Sequence, residues 1–86
     1  MRRIRFAPGQ TTGLHRHPCP VVGLIVEGAA TIEIEGEAPL ELPAGSAFHE
    51  PASKRILHFD NASNEQPMTF VAFYLLGPGQ PLIEML

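Results

Sequence analysis

The sequence predicts an all-β domain, a small barrel or sandwich, and three observations carry that prediction. Apolar residues along most of the chain recur with a period of two, the repeat of a strand rather than of a helix. Turn residues punctuate it closely: nine prolines and eight glycines in 86 residues leave segments too short for sustained helices. Two segments, 21–26 and 68–76, are apolar at nearly every position, as strands covered on both faces are. A chain of this length is expected to make one domain, residues 1–86.

The elements follow in order. Arg3-Ile-Arg-Phe6 alternates polar and apolar and stops at the Pro8-Gly9 turn. Leu14 to His17 is a short run closed by Pro18-Cys19-Pro20. Val21 to Val26 is the first doubly apolar strand, broken at Glu27-Gly28. Thr31-Ile-Glu-Ile-Glu35 alternates cleanly, which points Ile32 and Ile34 inward and Glu33 and Glu35 to water. Gly36 ends that strand, and Leu40 to Leu42 resumes the pattern before Pro43-Ala-Gly45. Ser46 to His49 reads as a strand stopped at Pro51, and Arg55 to Phe59 as another. Asp60-Asn-Ala-Ser63 is turn chemistry, since Asp, Asn and Ser side chains bond their own backbone. Met68 to Leu76 is the longest strand, ended by Gly77-Pro-Gly79. The apolar tail from Leu82 to Leu86 is the one segment expected to form a helical turn.

Composition excludes several roles. A formal net charge of −3, a pI near 5.7 and only six Lys and Arg argue against a nucleic-acid surface, which needs clustered positive charge. Arg2, Arg3 and Arg5 form the one basic cluster and read as a solvated strand face. Cys19 is the only cysteine, so no disulfide forms within the chain, and a lone thiol suits a reducing compartment. Nothing after Arg2-Arg3 resembles a signal peptide, and the longest apolar stretch, 21–26, is much too short to cross a bilayer. The expectation is a cytoplasmic protein with no membrane or nucleic-acid partner. Apolar residues on both faces of two strands in so short a chain call for a second cover, and a homodimer is the expected source.

Spaced residues then match a family pattern. Gly9 is followed by five residues and His15-Arg16-His17; three residues later stands Val21, and six further on Gly28. Gly45, five residues and Pro51 form a second group, with Ser53, Ile56 and Asp60 at its later fixed positions and Asn61 beside the last. These groups resemble the two motifs of the cupin superfamily, and the chain is similar to small single-domain bacterial cupins of the conserved-barrel (cupin 2) type. The resemblance runs from Arg3 to Leu82 and implies a small cupin barrel, a double-stranded β-helix or jelly roll, paired as a dimer. Many relatives carry one or two more strands ahead of the His-X-His strand, so strand exchange could cover the edge left open here. The departures fall on functional positions. The family pattern has Glu at Val21, Gly at Ser53, His at Ile56 and Asn at Asp60.

His15 and His17 lie two apart on a strand, on one face and about 7 Å apart at Cα. Imidazoles leaning together can share a metal about 2.0–2.1 Å from each nitrogen. In the family a Glu and a third His complete the shell, which implies one divalent transition metal, such as zinc, iron, manganese, nickel or copper. Val21 and Ile56, which replace those two ligands, are expected to line the ligand pocket. His58, two residues beyond Ile56, keeps the same face if no bulge intervenes and is the expected third histidine. His49 and Glu50 are adjacent, so at most one faces the pocket. Glu50 could replace the carboxylate missing at Val21, or His49 could add a fourth imidazole. Convergence of all four histidines favours His49.

Two functions follow. One is a metal-dependent enzyme acting on a small organic molecule, for which the resemblance implies dioxygenase, isomerase, epimerase or decarboxylase chemistry. The alternative is a metal-free small-ligand-binding or sensory cupin without catalysis. No phosphate-cradling glycine loop, nucleophile elbow or zinc-finger spacing appears.

Overall fold

The computed structural model describes residues Met1–Leu86 as nine strands and no helix. In chain order they are β1 (Arg2–Phe6), β2 (His15–Arg16), β3 (Val21–Glu27), β4 (Ala29–Ile34), β5 (Leu40–Pro43), β6 (Ala47–Glu50), β7 (Ile56–Asn61), β8 (Met68–Tyr74) and β9 (Glu84–Met85). They form a four-stranded sheet, β1-β8-β3-β6, and a five-stranded sheet, β5-β4-β7-β2-β9, with every pairing antiparallel. No helix is long and apolar enough to cross a membrane.

Alternation fills the space between the sheets. Ala30, Ile32 and Ile34 of β4 are buried, while Thr31 and Glu33 between them are partly exposed, as their spacing predicts. They meet Val21 and Ile25 of β3, Met68, Phe70 and Ala72 of β8, and Ile56 and Phe59 of β7 in one core. Gly28 carries the chain from the first sheet to the second at φ +78°, and a Cβ there would come within 2.6 Å of the Pro67 carbonyl oxygen. Gly23, mid-strand in β3, lies against the Phe48 ring and the Val71 carbonyl, leaving no space for a side chain.

Within the chain, segment 21–26 is covered on its inner face only: Val22, Leu24 and Val26 each remain about two-fifths exposed. Two expectations are corrected. The tail does not turn helically; β9 pairs with β2, and the Leu86 amide donates to the Leu14 carbonyl at 3.1 Å. A two-residue strand with an open edge gains more from a ladder partner than an isolated helical turn of that length would. The second correction is a bulge in β7. Glu33 pairs with His58 but Ile34 with Ile56, so Leu57 has no partner opposite it. One extra residue reverses the side-chain parity beyond it. Ile56, Phe59 and Asn61 are accordingly buried, and His58 faces out.

The same insertion accounts for the offset asparagine. Asn61, 7% exposed, donates through Nδ2 to the carbonyls of Ala7 (3.1 Å) and Gln66 (2.7 Å) and accepts from the Ser63 amide (2.9 Å). It thereby ties the end of β1 to the turn before β8, with its amide polar atoms satisfied.

Candidate metal centre

The site is built where the ends of the two sheets face one another. Val21 of β3 pairs with Glu50 of β6 on one side and with Tyr74 of β8 on the other. Cross-strand partners share a face, so Tyr74, Val21 and Glu50 stand in one inward row. Phe48, an inward core residue two positions earlier, fixes that parity for Glu50. The opposite sheet supplies His15 from β2 and His17 just beyond it. A Ser53 amide bond to the His17 carbonyl, 2.8 Å, pins the chain between His17 and the Pro51 turn.

The three side chains converge. His17 Nε2 lies 3.4 Å from Glu50 Oε1 and His15 Nε2 lies 3.7 Å from Glu50 Oε2. All three residues are buried, at 2%, 4% and 4% exposure for His15, His17 and Glu50. The imidazoles meet edge to face, with centroids 5.1 Å apart. Each ring is oriented from behind by a main-chain carbonyl: His15 Nδ1 donates to Gly13 O at 2.9 Å, and His17 Nδ1 to Leu82 O at 2.7 Å. A carbonyl only accepts, so the proton of each neutral ring sits on Nδ1 and the Nε2 lone pair is turned toward the carboxylate. This is the arrangement in which histidines ligate metals, with the second nitrogen anchored.

The donor set fits a metal ion. One ligand atom from each of the three residues lies within 4.8 Å of the other two. Glu50 Oε2 is buried without a hydrogen-bond partner, since 3.7 Å is too long for one, and a cation between the three would compensate it. Burial alone pushes the His17 pKa down, but the contact and charge of Glu50 and the Leu82 carbonyl outweigh it, and His17 is held above its usual value. Burial pushes Glu50 up, but the contacts and charges of His15 and His17 outweigh it, and the carboxyl is held below its usual value. Both directions describe a carboxylate that stays ionised in the interior. Tyr74 is pushed up by burial first and the Glu50 charge second, so its phenol keeps its proton. Its ring lies 5.5 Å from that of His17.

A cavity of about 240 Å³ opens beside the triad, its wall mostly apolar, with Tyr74 and Thr12 the other polar side chains on it. Of the residues singled out from sequence, His15, His17, Val21 and Glu50 face this cavity. Ile56 does not; fully buried, it is the cross-strand partner of His15 and packs in the core. The expected convergence of four histidines is not found. His49 is on the exposed face of β6, because Phe48 takes the inward position next to it. His58 is turned out by the β7 bulge and pairs with Asp60 at 3.0 Å. Glu50, the alternative to His49, is the inward one of the two. Tyr74 and the Leu82 carbonyl were missed. Parity along 68–76 would have aligned Tyr74 with Phe70 and Ala72, whereas a main-chain carbonyl leaves no trace in sequence.

Two antiparallel sheets closing over a core, with paired histidines at one end, define a cupin barrel. The chain belongs to the cupin family: the family model for the Cupin domain matches residues 2–74. Among solved structures it is similar to an oxalate oxidase, at 23% identity and a TM-score of 0.81, covering 96% of this chain and 43% of that one. It is also similar to the DMSP lyase DddQ from Ruegeria pomeroyi, at 19% identity and a TM-score of 0.79, covering 96% of this chain and 40% of that one. Drosophila melanogaster CENP-C, solved bound to CAL1, is similar at 19% identity and a TM-score of 0.74, with 84% of this chain and 61% of that one covered. The chain thus spans about two-fifths of the length of the two enzymes. No match was found among curated proteins.

Proposed function

We propose that this cupin domain holds one divalent transition metal through His15 Nε2, His17 Nε2 and the Glu50 carboxylate, and uses it on a small organic molecule bound in the adjoining cavity. One observation carries the reading: two buried imidazoles, each anchored through Nδ1, aim their free nitrogens at a buried carboxylate with an unpartnered oxygen. Two histidines and a carboxylate suit catalytic zinc and non-haem iron alike, and leave coordination positions open for substrate. When bound, such an ion supplies Lewis acidity toward a substrate oxygen. The protein's own part is to orient and to exclude water. Gly13 and Leu82 carbonyls hold the rings, the Tyr74 phenol offers a hydrogen bond at the site's edge, and the apolar wall keeps solvent from the far side of the ligand. Likeness to an oxalate oxidase and a DMSP lyase supports small-molecule chemistry.

Elemental analysis tests this directly. Protein made with zinc, iron, manganese, nickel and copper supplied is expected to carry close to one transition metal per chain. His17→Ala and Glu50→Gln are each expected to lose it while keeping the β-sheet circular dichroism. A parent protein free of metal under those conditions rejects the reading.

A second reading rests on the buried His17–Glu50 pair, whose Nε2 and Oε1 lie 3.4 Å apart and form an ion pair without any metal. In that case the triad hydrogen-bonds a small ligand as a binding module, and thermal stabilisation by ligand survives EDTA. Reversal by EDTA rules it out. We also propose that the outer face of the four-stranded sheet, Val22, Leu24, Val26 and Phe73, pairs with a second copy of the chain.

A further inference from the structure

We propose that the molecule taken by this site is amphipathic, with an oxygen-bearing head at His15, His17 and Glu50 and an apolar body of about six carbons in the phenylalanine-lined part of the cavity. The proposal rests on the triad being the metal-holding end.

The cavity is lopsided in its chemistry. All its ionisable side chains except the Tyr74 phenol belong to the triad, and no Lys or Arg faces it. Away from the triad the wall is made by Phe6, Phe48, Phe59 and Phe70, packed largely edge to face with neighbouring centroids between 4.8 and 6.3 Å apart. Ile4, Leu82 and Ile83 add aliphatic surface. Ala72 is the smallest side chain on the wall and leaves room beside the rings. A second carboxylate or a row of sugar hydroxyls here would give up hydrogen bonds to water and find no replacement. A hydrocarbon body gains from the same transfer. The size agrees, because a dry cavity of about 150 Å³ accepts benzene, and this one measures about 240 Å³.

Titration of the metal-loaded protein with acetate, butyrate and hexanoate tests the proposal. The dissociation constant is expected to fall about threefold to fourfold per methylene, or about 80-fold to 250-fold across the series. A flat or rising series overturns the proposal. The EDTA-treated protein, titrated with ethanol, butan-1-ol and hexan-1-ol, is expected to give the same slope without metal. The two readings therefore fail separately. Absence of metal from the parent rejects the metal reading and with it the head group assigned here, whereas metal with no slope rejects only the apolar body. Ile83→Asn puts a polar group into the wall at a partly exposed position and is expected to flatten both series while metal content is kept. Ile4→Thr is the second variant should the first fold poorly. A slope that survives both cavity variants but disappears in Leu24→Lys, on the outer sheet face, also overturns it.

Discussion

Glu50 is a carboxylate almost wholly withdrawn from water, with one oxygen lacking a partner, and such groups persist only where something compensates them. Its position relative to Val21 suggests how the carboxylate is retained: the family pattern places Glu at Val21, and here the acid comes from the cross-strand neighbour on the same face. The fixed positions of the second motif show a similar substitution. Ser53 stands where the pattern has glycine and still adopts φ +63°, the left-handed region. That conformation costs a side-chain-bearing residue about 1–2 kcal/mol. Ser53→Gly is therefore expected to stabilise the protein by about 0.5–1 kcal/mol, after allowing for glycine's extra freedom in the unfolded chain. The measurement is the urea midpoint at unchanged slope, and a lowered midpoint would contradict the strain. Glu50 was legible in principle: the need to bury Phe48 puts every second residue of that strand inside, Glu50 with it. Counting histidines pointed instead to His49, because it weighed residue type above strand parity.

At the level of elements, most strands could be read from alternation and turn residues, since each is short and ends at Gly, Pro or an Asx-type turn. What could not be read was pairing. The β7 bulge depends on how β4 and β7 register against each other, and nothing local in Arg55-Ile-Leu-His58 announces it. The tail is similar: Leu82 to Leu86 carries no strand period, and its conformation follows from the free edge of β2 beside it. That element also contributes to the site, because Leu82 O orients His17 and both Leu82 and Ile83 wall the cavity. Deletion of residues 80–86 removes a two-residue strand and an exposed Arg16–Glu84 ion pair, both of small worth to stability. It also frees the His17 ring. The truncated chain is expected to fold yet bind metal about 10–100-fold more weakly, as loss of a ligand's orienting partner does. Competition against a chromophoric chelator measures this, and unchanged affinity would show that Leu82 does not position the ring.

For the whole molecule the decisive quantity is the apolar surface left outside. Val22, Leu24, Val26 and Phe73 are 40–45% exposed, and the β3–β8 register places Val22 beside Phe73 and Leu24 beside Val71 on one face. Arg3 shares that face as the cross-strand partner of Val71 and supplies a polar rim. A stable interface takes about 800 Å² from each partner, roughly a sixth of the 4920 Å² surface of this chain, and a four-stranded sheet face can provide it. An isologous pairing suits such a patch because the same side chains meet their own copies across a two-fold axis. The sequence pointed to this through the apolar pattern of 21–26, although it could not show that the cover is absent from the chain itself. Light scattering at tens of micromolar is expected to give about twice the 9.4 kDa chain mass. The Val22→Lys/Leu24→Lys double variant sets like charges against each other across the axis, and is expected to run as a monomer with its sheets intact. It should also keep its metal, because both substitutions point away from the cavity that holds His15, His17 and Glu50. A parent that scatters as a single chain under those conditions would mean that this face stays in water.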